Sequence, residues 1–368
     1  MPTISVEQNL IAKLLAEHKL DHDVEQIADE LPLLGTDIDR CDAQTLDIEI
    51  FPNRPDLLSG ETLTRAIRNF VHRQPAKPSI TTKEGKITLN VEPDLAEIRP
   101  VILGAVVRNV DYTSIGVSAD EFIKSLMDHQ EKLHFALGRG RKRASIGVHD
   151  LAKLAPPFTV KAVSGDTKFT PLAATEPMSI KEIMAEHPKG IEYAHLLSEF
   201  DRYPIILDAE NNVLSFPPII NGDHTTVTKE TKDFFIDVTG WDIRACESSL
   251  MLIALQLQEY GGIIETVEVT NCFGETNVYP NGSAVEHKLT IAAIQGLLGG
   301  KLTEEAISEA INRMGGKLVA CDDELITLEM PRWRFDILHP VDLVEDIAIG
   351  HGYEDLGHDI PRSPMTAI

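Results

Sequence analysis

Residues 233–260 read DFFIDVTGWDIRACESSLMLIALQLQEY, a short apolar strand signal that changes into a helical stretch at about 245–260. Within the strand part Asp237 and Thr239 stand two residues apart, so both side chains point to one face. Similar strand signals precede it in ITLNVEP (87–93), VILGAVVRNV (101–110), RASIGVHDL (143–151) and YPIILDAENNVLSFPPI (203–219), with another helical stretch at about 118–135. Strands interrupted irregularly by helices predict one sizeable α+β domain with sheets as its base, over residues 76–262.

Outward from this block the pattern changes on both sides. From Ser5 to Leu31 apolar positions recur at helical spacing, with Ile11, Leu14 and Leu15 on one face, which predicts a helix pair. Leu46, Ile48 and Ile50 then alternate as a strand, a turn follows at Pro52–Pro55, and Ser59 and Thr62 are placed to cap a helix. Residues 1–75 therefore read as a small α+β module, and RQPAKPSITTKEGK (73–86) as a linker. On the other side, IETVEVTN opens a unit over 263–357. In it Leu297 closes a helix before Gly299–Gly300, Thr303 caps a second with Glu305 close behind, and Gly315–Gly316 ends that one ahead of a hairpin. Two short helices and a hairpin resemble a winged helix. Residues 358–368 form a tail, and no internal repeat is visible in the sequence. The fold class expected is α+β and multidomain.

Length and charge narrow the function. A chain of 368 residues exceeds one ordinary core and predicts two or three domains. With 58 acidic residues against 34 basic ones, the net charge of −24 repels phosphate overall, so any nucleic-acid contact must be local. Cys41, Cys246, Cys272 and Cys321 are scattered without a CxxC pair, which argues against a zinc knuckle and suits a reducing cytoplasm. The first twenty residues lack a basic region and a continuous apolar stretch, so no signal peptide is expected, and no run approaches a membrane span.

Three segments carry candidate chemistry. LSFPPIINGDHTTVT (214–228) sets Ser215, Asn221, Asp223, His224 and Thr225 around a rigid Pro217–Pro218 pair, although NGD is also an ordinary turn signal. RGRKR (139–143) is the one dense basic run, with Arg139, Arg141, Lys142 and Arg143; short charge runs usually mean a solvated loop. His149 and Asp150 follow as neighbours, which is not a triad. In PRWRFDILHPVDLVEDIAIGHGY (331–353), a helix opened by Pro340 puts Asp342, Glu345 and Asp346 on one face, near Asp336. That set is chemically sufficient for magnesium, but spacing alone favours a solvated acidic face. No GxSxG, HExxH, P-loop or Rossmann fingerprint is present.

Taken together, MPTISV at the start, PNRPDLLSGETLTRAIR, EIRP (97–100), QEKLHFALGRGRKRASIGVHDL, FTPL (169–172), SFPPIINGDHTTVT and RWRFDILHPVDLVEDIAIGHGY resemble, in order, the β subunit of phenylalanyl-tRNA synthetases of the archaeal and eukaryotic type. The resemblance implies that 76–262 is an editing domain of the B3/B4 type and 263–357 a B5-type domain. It implies hydrolysis of mischarged tyrosyl-tRNA(Phe) in a pocket lined by Ile206, Ser215, Asn221, Asp237 and Thr239, with Asn221 on the tyrosine hydroxyl and Ser215, Asp237 and Thr239 holding the amino group, ester and attacking water. It implies phosphate contacts from Arg139, Arg141, Lys142 and Arg143. It also implies a magnesium ion at Asp336, Asp342, Glu345 and Asp346, with Asp346 standing where many members carry Glu, shared with an α subunit in an α2β2 ligase of the cytoplasm. The synthetic site would belong to α, and a full β subunit would continue beyond Ile368. The alternative reading is a non-catalytic tRNA-binding or assembly module with a decayed editing site.

Overall fold

The computed structural model describes residues 2–356. The first unit is β1 (Thr3–Glu7), α1 (Gln8–Ala16), α2 (Val24–Glu30), β2 (Thr36–Cys41), β3 (Thr45–Ile50) and α3 (Gly60–Phe70), with strand order β1-β3-β2. Leu46, Ile48 and Ile50 of β3 all face inward, as their alternation predicts. Ser59 caps α3 by accepting from the Thr62 amide; Thr62 itself lies inside the helix.

The central unit is β4 (Lys83–Val91), β5 (Val101–Arg108), α4 (Ala119–Ala136), β6 (Ala144–Asp150), β7 (Phe158–Ser164), a small hairpin of β8 (Lys168–Phe169) and β9 (Met178–Ser179), α5 (Ile180–Glu186), α6 (Pro188–Tyr193), β10 (Arg202–Leu207), β11 (Val213–Phe216), β12 (Ile220–Asn221), β13 (Phe234–Gly240), α7 (Ile243–Gln258), β14 (Ile263–Thr270) and β15 (Thr276–Tyr279). Its large sheet runs β12-β11-β10-β7-β4-β14-β5-β13-β6, with β15 on β14. β4 is parallel to β7 and β14, and the other pairings are antiparallel. The apolar helix α7 covers one face beside α4.

The last unit is β16 (Val285–Thr290), α8 (Ile291–Leu298), α9 (Glu304–Arg313), β17 (Lys317–Cys321), β18 (Leu325–Met330) and α10 (Pro340–His351), with strand order β16-β18-β17. Thr303 caps α9, and Gly299 ends α8 at φ 78°.

Two sequence expectations change here. The strand that was to open the C-terminal unit, β14, pairs instead with β4 and β5 inside the large sheet. The linker is also strapped down: the Ile80 amide donates to the Gly282 carbonyl at 2.8 Å. One continuous core joins the first unit to the helices of the second, from Leu46 and Phe70 to Leu126 and Leu252. The other sheet face buries Phe158, Val160 and Phe216, and the last unit centres on Ile311, Leu328 and Ile347. The tail 358–368 lies outside the described residues.

A repeat absent from the sequence reading is plain in three dimensions. The first and last units share element order, strand order and antiparallel pairing. A local sequence echo sets Arg54-Pro55-Asp56-Leu57-Leu58-Ser59 against Arg334-Phe335-Asp336-Ile337-Leu338-His339. In both, the arginine forks onto the aspartate two residues on, at 2.9 and 2.8 Å from Arg54 and 2.9 and 2.7 Å from Arg334. In both, the sixth residue is the helix N-cap.

Candidate functional site

β13 lies between β5 and β6, and its register sets Asp237 opposite Gly147 and Thr239 opposite Ser145. The loop after β11 folds back over this face. Asn221 pairs with Ser215 across β11 and β12, the Ser215 hydroxyl donates to Asn221 Oδ1 at 3.3 Å, and Asn221 Nδ2 donates to the Val148 carbonyl at 3.4 Å. Between loop and sheet is a cavity of about 200 Å³ whose walls include Ser215, Asn221, Asp237, Thr225, Gln130, Glu131 and Arg141.

The structure therefore brings Ser215, Asn221 and Asp237 together and sets two expected members back. Thr239 is fully buried, and its hydroxyl accepts from Arg99 Nε at 2.7 Å while lying 3.0 Å from Ser145 Oγ. It braces the wall rather than lining it. Ile206 opposes Ser215 on the next strand and is fully buried in the core, outside the cavity lining. Arg99 also donates through Nη2 to the carbonyls of Thr239 and Arg141, and burial brings its pKa down to about 10.

The basic run divides in the same way. Arg139 and Lys142 are exposed. Arg141, only 7% exposed, turns inward: Nη1 donates to the Pro218 and Ile219 carbonyls at 3.2 and 2.9 Å, and Nη2 meets Glu131 at 2.6 Å. Its guanidinium also lies over the Tyr193 ring. Arg143 pairs with Asp242 and lies over Phe335. Two of the four expected phosphate ligands are thus committed to the protein. Glu131 is held down at about 2, chiefly by the His134 imidazole 3.6 Å away and then by Arg141, and stays ionised at the cavity wall.

The sequence reading set His149 aside with its neighbour Asp150. It sits at 0% exposure, with Nε2 2.7 Å from Asp237 Oδ1 and Nδ1 2.8 Å from Thr225 Oγ1. Its neighbour Asp150 is occupied elsewhere, accepting from the Ala152 amide and the Thr231 hydroxyl. The alternation of Ser145, Gly147 and His149 along β6 was the one available signal for a polar face meeting Asp237 and Thr239.

The acidic segment does not converge on a cation site within this chain. Arg334 takes both oxygens of Asp336 and, at 2.8 Å, one of Asp346. Asp342 caps its own helix by accepting from the amides of Leu338 and His339, and Glu345 is exposed. Among the described residues no group of three His, Cys, Asp or Glu is placed to hold a metal ion. Burial pushes the Asp336 carboxyl up, but Arg334 outweighs it and holds the group below its usual range; Asp346 is pushed up by burial, which Arg334 only partly offsets. Asp346 Oδ2 is buried without a partner, yet with Arg334 in place the donor set does not fit magnesium. No helix among the described residues is long and apolar enough to cross a membrane.

Comparisons place these features. Residues 103–256 match the B3/4 domain and residues 287–353 the tRNA synthetase B5 domain. The chain is 44% identical over 363 residues to the phenylalanine–tRNA ligase beta subunit of Methanosarcina acetivorans, covering 99% of this chain and 64% of that protein. The corresponding subunit of Archaeoglobus fulgidus is 38% identical over 363 residues, covering 98% of this chain and 63% of that protein. The chain thus spans just under two thirds of the length of these curated relatives. The crystal structure of an N-terminal fragment of the phenylalanyl-tRNA synthetase beta-subunit from Pyrococcus horikoshii superposes with a TM-score of 0.87 at 30% identity, covering 96% of this chain and 100% of that one.

Proposed function

Since the chain belongs to the phenylalanine–tRNA ligase beta subunit family, we propose that its cavity hydrolyses tyrosyl-tRNA(Phe), as the proofreading part of an α2β2 ligase whose synthetic site lies on α. The observation that carries this reading is a carboxylate, Asp237, at 1% exposure in the wall of a cavity of about 200 Å³. A pocket that selects phenylalanine by apolar fit cannot strongly reject the same side chain with one added hydroxyl; such discrimination is on the order of 100-fold. A second site with a desolvated acceptor inverts the preference, because phenylalanine leaves that acceptor unpaired.

We assign the roles by depth of burial, in a different order from that expected of the sequence. Asp237, Thr225 and Ser215 are the most enclosed polar groups on the wall; the Thr225 hydroxyl is taken up by Gly222 and His149, and Asp237 and Ser215 meet the phenol. Asn221, which is only half-buried, stands nearer the mouth and holds the ester and the attacking water. Thr225 is the one cavity-wall hydroxyl bonded to a histidine, and that histidine is enclosed behind Asp237. Direct attack by water is the chemistry we assign. Arg139 and Lys142 supply the phosphate contacts, and the chain's own carboxylates are not assigned a magnesium ion.

Deacylation of tyrosyl-tRNA(Phe) and phenylalanyl-tRNA(Phe) tests this. Asn221→Ala should slow hydrolysis of the tyrosyl ester at least about tenfold, and Asp237→Ala should erase much of the preference for it. Salt-sensitive tRNA binding with no hydrolysis above the spontaneous rate would overturn the reading.

A further inference from the structure

We propose that His149 is the positioning residue that aims Asp237 into the cavity and so sets the preference for a phenol over a bare phenyl ring; this rests on the editing reading above. The register of β13 against β6 sets Gly147 directly opposite Asp237 and His149 opposite Phe235. The Asp237 carboxylate therefore reaches His149 diagonally, across the position where Gly147 has no side chain. A Cβ at Gly147 would stand 2.2 Å from Asp237 Oδ1 and 2.8 Å from His149 Nε2. The glycine opens the path for this hydrogen bond. The Phe235 ring, 6.1 Å from the imidazole centroid and inclined by 29°, fixes the plane of the histidine.

The proton arrangement we assign turns on Thr225. Its one hydroxyl hydrogen has two acceptors within reach, the Gly222 carbonyl at 2.9 Å and His149 Nδ1 at 2.8 Å, and we assign it to the carbonyl. Its Oγ1 therefore accepts from Nδ1–H of His149, and the 2.7 Å contact between Nε2 and Asp237 Oδ1 requires a second proton between those two atoms. Whichever atom holds it, the pair is neutral as a unit, which lowers the cost of enclosing a carboxyl group where an aromatic ring must also fit. Oδ1 is thereby occupied. Among the described residues Oδ2 has no donor, so Asp237 offers the cavity one acceptor in one fixed direction. A phenol supplies the missing donor and a phenyl ring does not. His149 touches no substrate in this arrangement; it acts through Asp237.

The test compares His149→Gln, whose amide nitrogen falls near the Nε2 position, with His149→Asn, which reaches only toward Thr225, and His149→Leu, which keeps neither bond. Each is made in the full-length subunit assembled with α, and deacylation of both esters is followed. The Gln variant should retain the tyrosyl-over-phenylalanyl ratio within about threefold, whereas the Asn and Leu variants should lower it by roughly tenfold or more. Should the Leu variant not fold, Thr225→Val leaves the histidine in place, removes the group that accepts Nδ1–H, and should shift the ratio in the same direction. In ¹⁵N-histidine spectra of the unsubstituted protein, Nδ1 of His149 should carry a proton. A folded Asn variant with an unchanged ratio, or an unprotonated Nδ1, overturns the proposal. An unsubstituted ligase that does not hydrolyse the tyrosyl ester overturns the editing reading instead, and the nitrogen spectrum still decides the proton arrangement.

Discussion

Residue by residue, what matters most is which polar side chains lose water and what replaces it. His129 on α4 is buried, with Nδ1 2.8 Å from Gln256 Oε1 and Nε2 unpartnered. Burial, only partly offset by the Gln256 bond, lowers its pKa to about 4. Between the unfolded value of about 6.5 and that folded value, the unfolded chain binds the proton and the folded chain does not, so stability falls as pH drops through this window and levels off below it. The loss is on the order of 3 kcal/mol for this group alone. Urea unfolding at pH 7 and pH 4.5 should show the loss, and His129→Gln should flatten it; an unchanged slope in the variant would refute the assignment. The same logic of enclosure separated His149 from Asp150. The two are adjacent in sequence, but successive strand residues face opposite sides, so the histidine's carboxylate partner came from another strand. No local reading of residues 149 and 150 contains that pairing.

At the level of elements, caps and alternation were legible and pairing partners were not. Ser59, Thr303 and Gly299 act at helix ends where their chemistry places them. α4 adds a complete capping box: the Ser118 amide donates to Glu121 at 2.7 Å, and the Glu121 amide donates to Ser118 Oγ at 3.3 Å. Ser118→Ala should cost about 1 kcal/mol in chemical unfolding. Deacylation should be unchanged, because the polar residues that this helix gives to the cavity wall, Gln130 and Glu131, lie near its opposite end; a loss of activity as large as that of Asn221→Ala would contradict this division. β14 illustrates what elements do not reveal by themselves. Its apolar alternation made it a strand, but only the positions of β4 and β5 could place it in the large sheet.

Across the whole molecule, the first and last units meet at Arg313, whose Nε donates to the Phe70 carbonyl at 3.0 Å and whose Nη2 donates to Glu30 at 3.3 Å. The duplicated Arg-x-Asp forks are both buried and lie near enough for the charges of Arg54 and Asp56 to be felt at Asp336 and Arg334 respectively, and Arg334 also holds Asp346. Arg334→Met would leave Asp336 and Asp346 enclosed without their cation, and should destabilise the chain by about 3–5 kcal/mol in denaturant unfolding. Since Arg334 occupies those carboxylates, millimolar magnesium should leave the unfolding midpoint of this chain unmoved; a saturable rise would show a metal site within it. A second clasp ties the first unit to the central one, where Arg68 and Arg65 of α3 reach Glu259 at 2.6 and 3.0 Å.

By itself the sequence determined the classes of the elements, the polar loop at 214–228, the shared face of Asp237 and Thr239, and a family resemblance that the comparisons bear out. Periodicity and capping act over a few residues, so a linear reading contains them. The tertiary structure alone decided that Arg141 faces inward, that Thr239 braces rather than lines the cavity, that His149 backs Asp237, and that Arg334 holds the acidic segment. Each of these is a pairing between distant residues whose direction is set by strand register and enclosure. Register and enclosure exist only once the sheet is assembled.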